Sequence, residues 1–337
     1  MSAPPSATPR AMEPDMGRST TASPSIRHGW ITERTMLVRL LAIMLPTLLP
    51  GLLAACAESA SGPPACRIDR VADLPIVPGT RLPAVRATLE GEPVLFYIDT
   101  GAAMTILTRS TADHFGFRGA SDRRIGLGGI GGVVEAPVVA VRRLDLGHGV
   151  ARDIQMPVAS DFGPPVQGLR VAGLFGADFL SNYDVDLDVP GHHFALYDLR
   201  QCRGELRPLD AAFDIPIRLE STRIELQAML NGHPIDAVLD SGAVGTLVTE
   251  DDAARAGVTR QMLRSDPAVF AIGVDEERLR SHRHRFDTLE IGDETMRNYR
   301  FTVSDTDFTL IGEDFLRSNH VWISYPRRRL FVQPKIR

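Results

Sequence analysis

Two acidic tripeptides in the 337-residue chain are placed to do chemistry: Asp99-Thr100-Gly101 and Asp240-Ser241-Gly242. Each ends a short apolar run, Val94 to Ile98 or Ile235 to Leu239, and each is followed by Ala. Such a run carries the carboxylate into a low-dielectric region. The Gly lets the backbone turn and approach closely without a Cβ, and the Thr100 or Ser241 hydroxyl can hydrogen-bond inside that turn. One such tripeptide is an ordinary turn former. Two, brought to a pseudo-two-fold axis from opposite lobes, are a different object. Carboxylates about 3 Å apart cannot both ionise, so Asp99 and Asp240 would share a proton and titrate as a unit. One can act as general base on a water while the other, protonated, polarises a carbonyl. Peptide-bond hydrolysis is the natural chemistry, and it requires no metal and no cofactor.

The tripeptides belong to an internal repeat. Gly91 to Ala102 aligns with Gly232 to Ala243 without a gap, and Thr105 and Thr246 extend the match. Leu144-Asp145-Leu146-Gly147 answers Leu289-Glu290-Ile291-Gly292, and Leu174 to Leu180 answers Leu310 to Leu316. The offset drifts from 141 to 145 and then 136, so loops between these anchors differ in length. Within each repeat the pattern is β: Leu82 to Leu89 and Ile224 to Leu230 alternate imperfectly, and Val133 to Val141 is β-branched, with a Pro that sets it near an edge. Helical signals are few: Ser110 to Phe115, Glu250 to Ala256, and single turns at Asp178 to Ser181 and Asp314 to Ser318. Asp178 and Asp314, each two residues past a Gly at the start of a turn, read as first-turn structural residues.

These residues resemble the aspartic peptidases, in particular the bacterial retropepsin-like branch. That family's acidic tripeptide follows two hydrophobic residues. Its second signature, two hydrophobic residues before Gly, matches Leu174-Phe175-Gly176 and Leu310-Ile311-Gly312, each continuing as Gly-x-Asp-Phe-Leu. The run Ile125 to Val133, with Gly128, Gly129, Ile130 and Gly131, is similar to the glycine-rich flap of retroviral proteases. The resemblance spans roughly residues 80–335. It implies a mainly β, two-lobed acid-protease fold, each lobe a retropepsin-like β-barrel with few short helices. It also implies Asp99 and Asp240 as the catalytic pair, with Thr100, Gly101, Ser241 and Gly242 shaping the loop and Gly128 to Gly131 closing over a peptide or protein substrate. The second repeat has Ala271-Ile272-Gly273-Val274-Asp275 at the flap position, one Gly and then charges, so a single working flap is expected. Gly126-x-Gly128-x-x-Gly131 also fits a dinucleotide-binding pattern, but strand formers follow it where a helix is required.

Outside the repeats, residues 1–35 are rich in Pro, Ser, Thr and Arg and read as disorder or a misassigned start. Residues 36–55 read as a signal peptide: Arg39, the apolar run Leu40 to Leu49, then Leu53-Ala54-Ala55-Cys56. The last four resemble a bacterial lipobox, which implies lipidation at Cys56. Ala57 then implies the outer membrane, facing the periplasm. An ordinary cleaved signal or an uncleaved anchor is the alternative. Removing residues 1–55 leaves 32 basic against 39 acidic residues, a net charge of −7, without the footprint of a nucleic-acid binder. Cys66 and Cys202 remain, either a disulfide or two free thiols. The expected order is an arm at 56–79, lobes at 80–200 and 205–337, and a monomer that is an internal pseudo-dimer. The histidines of His192-His193 and Ser281-His282-Arg283-His284 read as solvated surface rather than metal ligands. Two rivals stay open: a non-catalytic peptide-binding or scaffold lipoprotein with this fold, and a dimer pairing Asp99 with Asp99 and Asp240 with Asp240.

Overall fold

The computed structural model describes residues 68–129, 132–199, 207–210, 212–220, 222–273 and 278–335. The signal segment, Cys56, Cys66, Cys202, Ile130 and Gly131 lie outside these residues. No helix among the described residues is long and apolar enough to cross a membrane.

Each repeat builds one β-sheet, and the two sheets have the same strand order. In the first half the order is Ala84–Leu89, Glu92–Ile98, Val171–Phe175, Ile106–Thr108, Gly149–Ala159, Gly132–Leu146, Gly119–Gly129. In the second the corresponding seven are Arg223–Leu230, His233–Leu239, Thr309–Ile311, Leu247–Thr249, Arg300–Ser304, Arg278–Arg285, Ala268–Ile272, in a ten-stranded sheet that Thr288–Ile291 and Glu294–Arg297 continue beyond Arg223–Leu230 and Arg218–Glu220 joins by pairing the same strand. The apolar runs before the acidic tripeptides are central strands. Each pairs in parallel with the strand that ends at the hydrophobic-Gly signature, Ile98 beside Phe175 and Leu239 beside Ile311. Burial on both faces makes Val94 to Ile98 continuously apolar rather than alternating, whereas the exposed Asp236 interrupts the second run before its buried end at Ala237 to Leu239.

A third sheet joins the halves. Its order is Asp69–Pro75, His193–Asp198, Asp184–Asp188, Asn319–Ser324, Arg329–Pro334, Phe213–Pro216. The segment expected to be a separate arm therefore supplies one strand of a shared sheet. At the seam Val185 lies opposite Ile323, both fully buried. On the other face the Trp322 indole donates to Asp184 at 3.0 Å, and His320 Nε2 lies 2.5 Å from Asp186 Oδ1.

The expected helices form at Arg109–His114 and Glu250–Arg255, with single turns at Ala177–Leu180 and Glu313–Leu316. Thr108 and Thr249 cap the first two, accepting from the Thr111 and Asp252 amides. A further helix, Arg260–Ser265, is capped by Thr259.

Two expectations need correction. The second half also forms a hairpin at the flap position: Ala268–Ile272 pairs antiparallel with Arg278–Arg285. Val269, Phe270 and Ile272 are good strand formers, so the ladder forms without a glycine-rich run. The stretch Ser281 to His284 is not a solvated surface, since Ser281 and His284 are buried. His284 Nδ1 lies 2.7 Å from Asp266, and Ser281 Oγ bonds the Ser304 hydroxyl at 2.8 Å. His193 is likewise tied, with Nε2 2.9 Å from Asp73.

Candidate active site

The parallel pairing of strands delivers both acidic tripeptides to one place between the halves. The Asp99 amide donates to Phe175 O at 3.0 Å and the Asp240 amide to Ile311 O at 2.9 Å. Each carboxylate is then fixed by its own turn. Asp99 Oδ1 accepts from the Gly101 and Ala102 amides at 3.1 and 2.8 Å, and Asp240 Oδ1 accepts from the Gly242 amide at 2.8 Å.

The hydroxyls of Thr100 and Ser241 do not stay inside their own turns as the sequence suggested; they cross to the other half. Thr100 Oγ1 donates to Leu239 O at 2.7 Å and accepts from the Ser241 amide at 3.0 Å. Ser241 Oγ donates to Ile98 O at 2.7 Å and accepts from the Thr100 amide at 3.1 Å. Both residues are fully buried. The need for glycine is also reciprocal. A Cβ at Gly101 would overlap the Asp240 carboxyl, and one at Gly242 would overlap the Asp99 carboxyl.

Each carboxyl lies where a Cβ on the other tripeptide's glycine would sit, and each perturbs the other's affinity for a proton. Burial raises the pKa of Asp99, against the amides of Ala102 and Gly101 and the hydrogen bond from Asp240, which lower it. Burial first, and the adjacent charge of Asp99 second, push Asp240 well above the usual carboxylate range. The pair therefore keeps a proton to higher pH than an isolated Asp would.

Asp178 and Asp314 buttress this arrangement. Each accepts from its own helical turn, at the Phe179 and Phe315 amides. Each also reaches the loop after the tripeptide: Asp178 takes the Thr105 amide and hydroxyl at 2.8 and 2.7 Å, and Asp314 takes those of Thr246 at 3.0 and 2.7 Å. The glycines of the second signature, Gly176 and Gly312, lie against the backbones of Met104 and of Ala243 and Gly245, where a Cβ would clash. Among the flap residues Gly128 and Gly129 sit at the end of the first hairpin, Gly129 opposite Gly132.

The matches to known families follow the same division. Residues 85–179 match a model described as "Aspartyl protease", and residues 226–318 match one described as "gag-polyprotein putative aspartyl protease". The chain belongs to the retropepsin-like aspartic peptidase family, with the domain duplicated. No curated protein matches it. Among solved structures, a retropepsin-like aspartic protease from Rickettsia conorii is similar over 36% of this chain and 89% of that one, at 20% identity and a TM-score of 0.30.

This family member carries two polar groups that its motifs do not reveal. Glu313 fills the variable place of Gly-x-Asp-Phe-Leu, where the first repeat has Ala177. It is buried, with Oε1 unpartnered and Oε2 3.2 Å from Arg317 Nε. Burial lifts its pKa to about 7, against the pull of Arg317. Tyr325 is buried with its hydroxyl unpartnered; burial and the charge of Asp99 raise its pKa. Comparing the repeats could have found Glu313, but nothing in the sequence marks Tyr325. An acid whose pKa is raised by folding adds stability that is present below its unfolded value and lost as pH rises through the folded one. For Glu313 that window runs from 4.5 to about 7. Urea melts at pH 4.5 and 7.5 should show the Glu313→Gln variant losing roughly 3 kcal/mol less stability over that interval than the parent chain. An identical loss in both would contradict this assignment.

Proposed function

We propose that the chain is an aspartic endopeptidase in which Asp99 and Asp240 together activate a water for attack on a peptide carbonyl. The observation that carries this reading is the contact of two carboxyls from equivalent repeat positions, with raised affinity for a proton. In the singly protonated pair, the ionised carboxylate takes a proton from the water as it attacks. The protonated carboxyl meanwhile donates to the substrate carbonyl oxygen. The resulting tetrahedral intermediate collapses when its nitrogen receives a proton and the amine leaves. The half-buried setting strengthens each of these interactions relative to water. The hairpin Gly119–Gly129 with Gly132–Leu146, whose tip includes Gly128 to Gly131 in sequence, would close over an extended peptide held by main-chain hydrogen bonds.

Because one site needs both halves, a monomer suffices. Asp99→Asn and Asp240→Asn should each lower cleavage of a denatured protein substrate at least a thousandfold while the chain remains monomeric. Substantial activity in either variant alone would instead favour independent sites in a dimer. No cleavage by the parent chain itself would leave the non-catalytic reading.

The segment before Cys56 supports a second proposal, attachment of the mature chain to the cell envelope through a lipid on that residue, facing the periplasm. Cys56→Ala should shift the chain from the membrane to the soluble fraction. Unchanged membrane association would reject the lipid anchor.

A further inference from the structure

A sheet edge presents a row of unpaired N–H and C=O groups, and folded chains ordinarily blunt it with charge, proline or a bulge. Among the described residues, the strands that end the sheets or branch from them are Asp69–Pro75, Phe213–Pro216, Ala84–Leu89, Gly119–Gly129, Arg218–Glu220, Glu294–Arg297 and Ala268–Ile272. All but the last contain a charged residue. Gly119–Gly129, the counterpart of Ala268–Ile272 in the first half, carries Asp122, Arg123 and Arg124, and its register shifts between Gly119 and Arg124. Ala268-Val269-Phe270-Ala271-Ile272 has neither charge nor irregularity.

The pairing fixes which groups face outward. The Arg283 amide donates to Pro267 O at 2.9 Å, and hydrogen-bonded pairs alternate along an antiparallel ladder. Val269 and Ala271 therefore exchange bonds with Ser281 and Leu279, while Ala268, Phe270 and Ile272 turn their N–H and C=O groups to the open side. The side chains of the same three residues are exposed, Phe270 to 57% and Ile272 to 61%. They share the outer face of the hairpin with Arg280, opposite Phe270, and Arg278, opposite Ile272. The other face, with Val269, Ala271, Leu279 and Ser281, corresponds to the face of the first hairpin that carries Ile125, Leu127, Val134 and Ala136.

What satisfies such a row is another extended backbone, whose alternate side chains lie beside Phe270 and Ile272. A second copy of this strand fits poorly. Self-pairing about Phe270 would gather Arg278 and Arg280 of both copies on one face, where like charges repel. Arg278 stacks over the Phe270 ring at 4.5 Å, so its charge already leans over the edge that the copies would share. An extended segment of a protein substrate fits better. Such a chain is unfolded where it is cut, and this hairpin stands at the flap position of the second half.

We propose that the free edge of Ala268–Ile272 is an exosite that takes up, as an added strand, an extended apolar stretch of the protein substrate lying outside the active-site cleft. This deepens the endopeptidase reading and rests on it: the substrates become unfolded chains with an uncharged, β-prone run at a distance from the scissile bond. Main-chain hydrogen bonds to Ala268, Phe270 and Ile272 supply the affinity. The exposed Phe270 ring and Ile272 side chain select apolar residues at alternate positions, since those bury area that charged residues would not.

The test uses the Asp99→Asn chain, so that nothing is cut, and a synthetic peptide of alternating Thr and Val with Glu-Gly and Gly-Glu ends. Amide hydrogen exchange is followed by NMR. Adding the peptide should slow exchange at Phe270 and Ile272 at least tenfold, while Val269 and Ala271, already bonded within the hairpin, change less than twofold. Phe270→Pro removes one outward donor and leaves the ladder to Arg278–Arg285 intact, and it should weaken peptide binding at least tenfold. Ile272→Lys, which keeps every backbone group, should weaken it as well; protection of Val269 and Ala271 shows that the hairpin is formed in each variant. No protection at Phe270 and Ile272, or equal binding by the variants with the hairpin formed, overturns the proposal. Cleavage by the otherwise unaltered chain is scored on an unfolded substrate carrying the same run away from the cut. Phe270→Pro should raise KM for it with kcat unchanged, and an unchanged KM overturns the substrate as occupant. Edge protection without cleavage of any substrate would reject the endopeptidase reading and leave the strand site standing. Cleavage without edge protection would do the reverse.

Discussion

Two carboxyl groups held against each other, away from bulk water, are unfavourable for a folded chain, and much of this structure can be read as what over-determines that contact. The crossed hydrogen bonds of Thr100 and Ser241 are the decisive device. Each hydroxyl donates to a carbonyl of the opposite half and accepts from the opposite tripeptide, so neither acidic turn can move without the other. Gly101 and Gly242 then let the partner carboxyl approach where any side chain would exclude it. Behind them, Asp178 and Asp314 hold the following loops to short helical turns. The shared six-stranded sheet fixes the two barrels to each other.

Duplication within one chain frees each half to diverge while that contact is kept. Ala177 answers Glu313, and Leu82 answers Arg223. A symmetric pair of identical subunits could not make these differences. Here the central polar frame stays nearly two-fold while its surroundings do not. Chemistry that needs two equivalent carboxyls is thereby compatible with an asymmetric substrate.

Much of this was legible in the residues. The run Val94 to Ile98 marks a central strand because a strand buried on both faces is uniformly apolar, and Ala237 to Leu239 does the same before Asp240. The repeat pairs the two motifs, and the short helices lie within a few residues of where their patterns suggest. What escaped were features decided by contacts between distant segments. The Thr100 and Ser241 hydroxyls look like local turn donors until the halves meet. The second hairpin lacks the glycine-rich run that marks the first, and its strands are held by pairing that one sequence does not display. Ser281 and His284 lie in a charged stretch and on opposite faces of one strand, yet both are buried, by contacts with the distant Ser304 and Asp266. Tyr325 looks like any apolar position at the end of a strand.

The contact between the carboxyls is tested most directly by counting the protons they hold. Infrared difference spectra between the parent chain and the Asp99→Asn variant, recorded across pH, resolve a protonated carboxyl by its C=O stretch. One such group should persist in the parent chain well above the pH at which an isolated Asp ionises, and it should lose its raised affinity once Asp99 is neutral. Two carboxyls that both ionise in the ordinary range, indifferent to each other, would contradict the account.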